Sequence, residues 1–277
     1  MILSENVLGG FAARLRAAER SEATVEKYVR EARRFAAWLG ERPLDREAAQ
    51  RYKEELARTR AAGGVNGAVA ALNALFDLTG APECRLRALR VQRRIFRDES
   101  RELTQAEYRR LLAAAKRRDS ERLLLVMETI CATGIRVGEL RFFTLEAVRA
   151  GRAEVANKGK IRTVFLPRKL QAVLLRYARG QKITAGPVFV TRNGRPLDRS
   201  NIWHDMKRLC REARVAESKV FPHNLRHLFA RTYYGLEKDI VRLADILGHA
   251  SIDTTRVYTM ESGRTHRRQL EKMRLVL

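Results

Sequence analysis

The sequence lacks any apolar run long enough to cross a bilayer. Its longest, near residues 123–127, falls far short of the roughly 20 residues that a membrane-spanning helix needs. A secretory signal is missing too, because no Lys or Arg precedes Arg14 and no apolar segment with a small-residue cleavage site follows. We therefore expect a chain that begins near Met1 and works in the cytoplasm, with no membrane partner.

Cysteine is scarce, with three residues at Cys84, Cys131 and Cys210. Their number is odd, they stand far apart, and no two form a C-x-x-C pair. This pattern excludes a disulfide framework and a cysteine-rich zinc module. We expect all three thiols to fill small apolar spaces, as free cysteines usually do.

Acidic residues are few for so charged a chain, with 32 Asp and Glu against 56 Lys and Arg, which gives a net charge of +24 and a pI near 11.0. The basic excess extends along the whole chain. A polyanionic partner is the simplest physical reason for it. The length of 277 residues with 45% hydrophobic content predicts two globular domains.

Residues 1–90 predict a helical domain. Apolar residues recur at helical spacing, for example from Val25 to Leu39 behind the capping candidate Ser21, and again behind Asp45. The other predicted helices cover residues 5–18, 46–60 and 66–78. Glycine and proline separate the four, at Gly40 with Pro43, at Gly63-Gly64, and at Gly80 with Pro82.

Residues 85–101 are rich in arginine and lack a sustained periodicity, and we predict a basic linker at residues 91–101. A second domain, residues 102–260, opens at Thr104 with the capping-box pattern T-x-x-E. It is predicted to be mainly helical, with helices near residues 200–214, 223–234, 239–247 and 251–258. The expected fold class is mainly α with a small β-hairpin, an α+β fold.

Extended runs at residues 152–156 and 162–166 predict the β-hairpin, and residues 187–191 predict one more short strand before the turn at Asn193-Gly194. Residues 261–277 form a basic tail with an apolar end. That end either packs on its own domain or is exchanged with a neighbouring subunit.

Six residues of the second domain carry side chains suited to phosphate chemistry. Taken singly, each has an ordinary structural explanation: Lys158 would be solvated at a hairpin tip, and Tyr258 would pack at a helix end. Their order and spacing favour a common function instead. The six are Arg136 after Thr-Gly-Ile, Lys158 in the hairpin, the pair His223 and Arg226, His249 in Leu-Gly-His, and Tyr258 nine residues later.

This order resembles the tyrosine recombinase family, which includes phage integrases and Xer-type resolvases. The matching strings are T-G-I-R-V-G-E-L at residues 133–140, L-R-H-L-F-A at residues 225–230 and L-G-H-A-S-I-D-T-T-R-V-Y at residues 247–258. The resemblance is looser before Thr104. It implies a helical, SAM-like core-binding domain at residues 1–90, a catalytic domain, and a C-shaped clamp on DNA.

The resemblance also implies DNA recombination or integration through Tyr258. Displacement at a phosphodiester builds charge on the non-bridging oxygens, which the planar guanidinium groups of Arg136 and Arg226 can hold. It favours His223 as the base-like histidine, with His249 as a second donor. Tyr258 would hold a 3′-phosphotyrosyl link. No metal, ATP or other cofactor is expected.

Some roles stay open at this point. Lys158 is the preferred general acid for the leaving 5′ oxygen, but the tip Asn-Lys-Gly-Lys is shorter than the family's G-K-G-x-K, so Lys160 is an alternative. Glu139 either orients an active-site cation or is a solvated helix position. The helix near Val65 is unusually apolar. We therefore expect the DNA contacts of the first domain from the preceding basic helix, at Thr24, Lys27, Arg30 and Arg34, with Lys160 as a further contact.

Three other function classes compete. A helix-turn-helix regulator would explain the charge and the helices of residues 239–258, but not the spacing of the six residues. A metal-dependent nuclease could use His223 and His227, yet no H-E-x-x-H motif or acidic cluster accompanies them. A type IB-like topoisomerase would share the active-site logic. The expected partners are a double-stranded DNA recombination site, a homotetramer assembled on two duplexes, and accessory DNA-bending or directionality proteins. The protein would then be associated with the nucleoid.

Overall fold

The computed structural model describes residues 5–91, 98–157, 159–191, 193–260 and 263–273. The chain divides into two compact units, Met1–Arg93 and Arg94–Leu277. The division falls among the residues predicted as a basic linker, of which residues 92–97 lie outside the described part. The finer boundaries of the linker and the tail stay predictions.

Four helices form the first unit and share one apolar core. Phe35 is fully buried at its centre and meets the ring of Phe76 edge-on, with the ring centroids 5.8 Å apart. As predicted, the carboxylate of Asp45 caps a helix by accepting a bond from the backbone N of Ala48 at 2.7 Å. The helices are α1 (Glu5–Ala17), α2 (Glu22–Leu39), α3 (Arg46–Thr59) and α4 (Ala62–Leu78).

Two details of this unit differ from the predictions. The pair Gly63-Gly64 does not separate α3 from α4 but lies in the first turn of α4, where the N–H of Gly64 donates to the carbonyl of Ala61 at 2.8 Å. Burial of Val65 and Val69 holds that turn in place. Ser21 precedes α2 but its side chain makes no capping bond, because its hydroxyl pairs with that of Thr24 at 2.9 Å.

The arginine-rich segment after α4 begins as part of the first unit. Asn66 binds both the N–H and the C=O of Leu89, at 2.7 and 3.0 Å, and Asn73 binds both groups of Leu86 at 2.8 and 2.9 Å. The seven residues from Asn66 to Asn73 along the helix and the three from Leu86 to Leu89 along the extended chain both span roughly 10 Å. The same pair of hydrogen bonds can therefore form at both positions. Leu86 is buried here, so the first residues of this segment belong to the first unit.

The second unit is helical around a single two-stranded sheet in its described part. As predicted, strands β1 (Arg152–Asn157) and β2 (Lys160–Phe165) form an antiparallel hairpin, with Asn157 opposite Lys160. Gly159 has φ +76, a conformation that favours glycine in a tight turn. The helices are α5 (Gln105–Arg117), α6 (Glu121–Thr133), α7 (Leu145–Ala150), α8 (Arg168–Gly180), α9 (Arg199–Ala213), α10 (Pro222–Glu237), α11 (Ile240–Leu247), α12 (Ile252–Arg256) and α13 (Gly263–Met273).

The capping box at the start of α5 is confirmed: the N–H of Glu107 donates to the hydroxyl of Thr104 at 3.1 Å, and the N–H of Thr104 donates to the carboxylate of Glu107 at 2.8 Å. The strand predicted at residues 187–191 is wrong. Pro187 pairs with Thr144 and Val190 pairs with Pro196, each in an isolated bridge. Each bridge contains a proline, which has no N–H to donate, so neither bridge extends into a ladder of hydrogen bonds. The turn at Asn193-Gly194 is confirmed, with Gly194 donating to the carbonyl of Thr191 at 3.0 Å.

The cysteines are free, as predicted, and burial raises the pKa of each thiol, that of Cys131 to about 12. No described helix is long and apolar enough to span a membrane. Helix α13 leaves Leu270 and Met273 about half exposed. The apolar end of the predicted tail, residues 274–277, lies outside the described residues.

Candidate active site

Arg226 lies at the centre of the site, in the second turn of α10, and its side chain is almost fully buried. Its Nη1 donates to the carbonyl of Gly134 at 2.7 Å, and its Nη2 donates to the carbonyl of Leu247 at 2.7 Å. Its Nε is buried with no hydrogen-bond acceptor in the described part of the chain. Arg226 therefore ties α10 to the ends of α6 and α11 and keeps one donor available.

Gly134 follows α6 and has φ +66. A Cβ atom at this position would lie 2.3 Å from the ring of Phe229, so a larger residue would fit neither the backbone conformation nor the space. This accounts for the Thr-Gly step in front of Arg136. It also presents the Gly134 carbonyl to Arg226.

His249 follows the C-terminal turn of α11, where Gly248 has φ +64. Its Nε2 is 2.9 Å from Nη2 of Arg226, and its Nδ1 is 2.8 Å from the hydroxyl of Thr255. A guanidinium can only donate, so Nε2 accepts and the proton of the neutral ring resides on Nδ1. Burial and the nearby charges of Arg226 and Arg136 lower the His249 pKa to about 4, which keeps the ring neutral at pH 7.

Tyr258 is buried just after α12, which ends at Arg256 rather than at the tyrosine as predicted. Its N–H donates to the carbonyl of Thr255 at 2.9 Å. The phenol ring stacks on His249, with centroids 6.0 Å apart, and meets the edge of His227 at 4.9 Å. The nucleophile candidate is therefore fixed by two histidine rings.

His223 is exposed at the start of α10, one turn before His227, and their rings are 4.5 Å apart. Partial burial of the ring, followed by the charges of Arg226 and Arg136, lowers the pKa of His223. Burial likewise lowers the pKa of His227 to about 3. Both rings are thus neutral at pH 7, and a pKa of about 3 makes His227 a weak proton acceptor.

Arg136 precedes a 3-10 turn, Val137–Phe142, and its side chain is 35% exposed. Its Nη1 donates to Oε1 of Glu139 at 3.0 Å, while its backbone N–H donates to Oε2 at 2.8 Å. The positive charge of Arg136 contributes to lowering the pKa values of His223, Arg226 and His249. Glu139 is therefore not a solvated helix position but a buried support for Arg136.

Glu139 also accepts two bonds from Arg162 on β2, from Nη1 at 3.0 Å and from Nη2 at 2.7 Å. Burial works to raise the pKa of this carboxyl group, but the bonds from Arg162 and Arg136 outweigh it and lower the pKa to about 2. Burial and the charge of Arg136 lower the pKa of Arg226 to about 10, although Tyr258 and Glu139 partly oppose them. Arg226 therefore stays charged at pH 7.

The structure thus brings together Arg136, His223, Arg226, His249 and Tyr258, with Glu139 behind them. Lys158 lies outside the described residues, and Lys160 is an exposed residue at the start of β2. Neighbouring tyrosines have packing contacts instead: Tyr233 stacks on Phe229 at 6.1 Å.

The candidate DNA contacts of the first unit all lie on α2. Lys27, Arg30 and Arg34 are exposed, while Thr24 is half-buried beside Ser21. Arg34 is not merely solvated, because its Nη1 donates to the buried carboxylate of Glu31 at 2.9 Å. Glu31 also accepts a bond from Arg60 at 2.7 Å.

Sequence reasoning missed Arg162, Glu31 and Arg60. A signal for Arg162 was available, because residues two apart on a strand share a face and Val164 is an apolar residue that would point to the core. An arginine on that face needs a buried acid. For Glu31 and Arg60, 29 residues apart, no local pattern could have indicated the contact.

Two competing interpretations have little structural support. The second helix of the suggested helix-turn-helix, α12, has five residues and buries Thr255, so it offers little surface for a DNA groove. In the described part of the chain no group of three or more His, Cys, Asp or Glu side chains could hold a metal ion. His223 and His227 instead make a ring contact.

A comparison with known proteins adds to this geometry. Residues 101–264, more than half of the chain, match the model of the phage integrase family. Tyrosine recombinase XerA of Pyrococcus furiosus is 28% identical over 99% of this chain and 96% of its own length. Tyrosine recombinase XerD of Pseudomonas aeruginosa is 34% identical over 57% of this chain and 56% of that protein.

Solved structures share the fold. A lambda integrase tetramer bound to a Holliday junction matches with a TM-score of 0.73 at 18% identity, over 92% of this chain and 76% of that one. These relatives are recombinases and integrases, and they do not support a regulator or a topoisomerase. Because the family model covers more than half of the chain, including Arg136, His223, Arg226, His249 and Tyr258, the chain belongs to the phage integrase family and is a tyrosine recombinase.

Proposed function

We propose that this protein cuts and rejoins double-stranded DNA at a specific site through a covalent 3′-phosphotyrosyl link to Tyr258. The observation that carries the proposal is the buried guanidinium of Arg226, bonded to His249 at 2.9 Å and close to the Tyr258 phenol, with its Nε still available. A buried charge is costly unless its donors are bonded, and Nε is the donor of Arg226 that has no acceptor in the described part of the chain. A phosphodiester oxygen is the acceptor that this donor suits.

The two arginines would stabilise the charge that builds on the phosphate. Arg226 is held by carbonyls of Gly134 and Leu247, and Arg136 by Glu139, so neither has to reorganise when the substrate binds. Fixed donors of this kind lower the barrier because their orientation is set before the reaction. A lysine could not hold two oxygens at once with the same geometry.

The histidines are suited to accept and share protons. His223 is exposed and neutral, and we assign it the proton of the Tyr258 hydroxyl as that oxygen attacks phosphorus. His249 already accepts from Arg226 at Nε2, so its first role is to keep Arg226 oriented beside the tyrosine. Its pKa of about 4 argues against a positively charged donor at pH 7.

The bond between phosphorus and the 5′ oxygen breaks as the tyrosyl bond forms, and the 5′ oxygen takes up a proton. We assign Lys158 as that acid, with Lys160 as the alternative, since Lys158 lies in the sequence between β1 and β2 and Lys160 begins β2. The new ester conserves the energy of the broken one. A 5′ hydroxyl of another strand can therefore attack it and rejoin the DNA without ATP.

The first unit would bind phosphates through α2. Thr24, Lys27, Arg30 and Arg34 follow one another at intervals of three or four residues, so they present one face of the helix. The Glu31 carboxylate that holds Arg34 also holds Arg60, which adds a cation to that face. These contacts position the DNA but carry no sequence information by themselves.

Exchange of strands between two duplexes needs four active sites, and we propose a homotetramer assembled on them. The tail of residues 261–277 would join neighbouring copies, which is consistent with the half-exposed Leu270 and Met273 of α13. Removal of residues 273–277 should then abolish cooperative binding to paired sites and leave binding to a single site intact. Accessory proteins and association with the nucleoid stay predictions.

The test of the cleavage proposal is a covalent trap. The wild-type protein is incubated with a supercoiled plasmid library carrying the host's genomic fragments, and protein-linked DNA is recovered after denaturation and sequenced. We expect linkage at few sites, its loss in Tyr258→Phe, and its retention in Tyr234→Phe, which alters a tyrosine at the surface of the same core. No linked DNA with the wild type, or linkage that persists in Tyr258→Phe, would refute the proposal.

A further inference from the structure

Arg162 uses all three nitrogens of its guanidinium group. Nη1 and Nη2 bind the two carboxylate oxygens of Glu139, at 3.0 and 2.7 Å, and Nε donates to the carbonyl of Ile246 at 3.2 Å. The side chain is 14% exposed. Arg162 therefore has little surface left for a direct contact with DNA, and its contacts all go to elements that carry site residues.

Those elements come from three separate parts of the chain. Glu139 holds Arg136 through a side-chain bond at 3.0 Å and a backbone bond at 2.8 Å. Ile246 lies in the last turn of α11, three residues before His249. Arg162 itself lies on β2, two residues after Lys160. Its guanidinium therefore links the hairpin to Glu139, which holds Arg136, and to the end of α11, which precedes His249.

The backbone of Gly248 makes room for this arrangement. A Cβ atom at Gly248 would lie 2.8 Å from Cδ of Arg162 and 3.1 Å from its Nε, and the residue has φ +64. The glycine of the Leu-Gly-His string therefore serves two purposes. It ends α11, and it admits the side chain that fixes the hairpin to that end.

We propose that Arg162 is a positioning residue for DNA cleavage, which acts by fixing the Glu139 carboxylate under Arg136 and by tying β2 to the segment before His249. The inference rests on the proposed function, since it names a residue that supports the cleavage site. Without Arg162, the carboxylate would be free to rotate and Arg136 would lose its fixed orientation. The hairpin would also lose its bond to α11.

The expected effect is on the rate of cleavage rather than on DNA binding. A displacement of about 1 Å at a reacting group can cost on the order of 100-fold in rate. We therefore expect Arg162→Gln to slow single-turnover cleavage of a saturating duplex roughly 100-fold, with the dissociation constant for DNA changed less than about threefold. Arg162→Lys, which keeps the charge but not the paired bonds, should recover only part of the rate.

The control is Arg152→Gln, which removes the same charge from an exposed position on the neighbouring strand β1. The DNA is the duplex recovered from covalent complexes of the wild-type protein. Cleavage by Arg152→Gln should match the wild type within a factor of about three. If Arg152→Gln and Arg162→Gln lose cleavage equally, the effect comes from net charge and the inference is wrong.

A double-mutant cycle tests the route of the effect. If Arg162 acts through Glu139, then Glu139→Gln combined with Arg162→Gln should be about as slow as either single variant, not as slow as the product of the two losses. Multiplying losses would overturn the inference. As the pH is lowered, cleavage by Arg162→Gln should also begin to decline at a higher pH than cleavage by the wild type. The reason is that Glu139 loses its main hydrogen-bond donor, so the pKa of the Glu139 carboxyl group rises.

Thermal melting of each variant shows whether it is folded at the assay temperature. If Arg162→Gln is unfolded, Arg162→Lys is compared with the wild type in its place. The two proposals fail in different ways. Wild-type protein that forms no tyrosyl link to DNA refutes the proposed function and this inference with it. A wild type that cleaves, alongside an Arg162→Gln or Arg162→Lys variant that cleaves equally fast, refutes the inference alone.

Discussion

Among the described residues, a buried glutamate binds two arginines in each unit, but the two clusters differ in geometry. Glu31 gives one oxygen to Arg34 and the other to Arg60, at 2.9 and 2.7 Å. Glu139 accepts a two-bond contact from Arg162 and, in addition, a side-chain and a backbone bond from Arg136. The guanidinium of Arg136 makes one bond, as those of Arg34 and Arg60 do, but the backbone bond of Arg136 and the paired bonds of Arg162 also fix the orientation of the Glu139 carboxylate that it meets.

Exposure alone does not separate the clusters, because Arg60 is less exposed than Arg136. Arg34 and Arg60 are 51% and 27% exposed, whereas Arg136 and Arg162 are 35% and 14% exposed. A guanidinium held by a single bond keeps donors for a phosphate and can adjust to it. A group that must stabilise a transition state has to be oriented beforehand. The same pair of residue types thus suits DNA binding in one unit and catalysis in the other.

The largest expected effect comes from Glu139→Gln. It leaves Arg136 and Arg162 without their shared countercharge in a buried place, which typically costs about 3–5 kcal/mol of unfolding free energy. Cleavage at saturating DNA should fall roughly 100-fold, since Arg136 loses its orientation. Urea unfolding and single-turnover cleavage measure the two effects. Glu31→Gln, the same change in the other cluster, should leave the cleavage rate unchanged. Equal losses of rate in Glu31→Gln and Glu139→Gln would show that the two clusters do not differ in their role in catalysis.

A second effect is the dependence of stability on pH. The pKa of Glu139 is lowered to about 2 in the folded protein, against an ordinary value near ~4.3 in the unfolded chain. Its contribution is therefore complete above about pH 4.3 and is lost as the pH falls through about 2. The difference corresponds to roughly 3 kcal/mol.

Urea unfolding of the wild type and of Glu139→Gln between about pH 5 and pH 2 measures this contribution. The wild type should lose roughly 3 kcal/mol more than the variant over that range, while the titrating histidines affect both proteins alike. Parallel stability curves would mean that the arginines do not hold the carboxylate in solution.

The smallest expected effect is that of Glu31→Gln on DNA binding. Arg34 and Arg60 would keep their charges but lose the contact that places them, so affinity should fall a fewfold, by about 1 kcal/mol, the typical net value of a hydrogen bond. The control is Glu26→Gln, an exposed position on the same helix that loses the same charge. Affinity that rises equally in both variants would mean that only net charge matters in this unit.

Arg34→Gln sharpens the same comparison. If Arg34 neutralises one phosphate, the slope of log K against log salt should become shallower by about 0.9. Arg33→Gln changes a neighbouring arginine that pairs with Glu5 instead, and it should leave the slope unchanged. If the two variants show the same slope of log K against log salt, Arg34 does not contact a phosphate.

The sequence by itself determined the features that depend on neighbours along the chain. The caps at Asp45 and Thr104 need three residues, the hairpin needs a turn between two extended runs, and the strings around Arg136, Arg226 and Tyr258 are local signatures. It also anticipated which polar residues would meet, because the family order links them. The false strand near Val190 shows the limit of this approach, since an extended run forms a ladder only when a partner strand exists.

Only the tertiary structure decided which polar groups that are distant in the sequence face each other. Arg162 meets Glu139 across 23 residues, Arg60 meets Glu31 across 29, and Asn66 meets Leu89 across 23. Such pairs depend on how helices and strands pack. A basic chain contains many arginines whose neighbours in the sequence do not show which of them will meet a buried acid. Burial then decides among them, because a charge removed from water must find its partner in the fold.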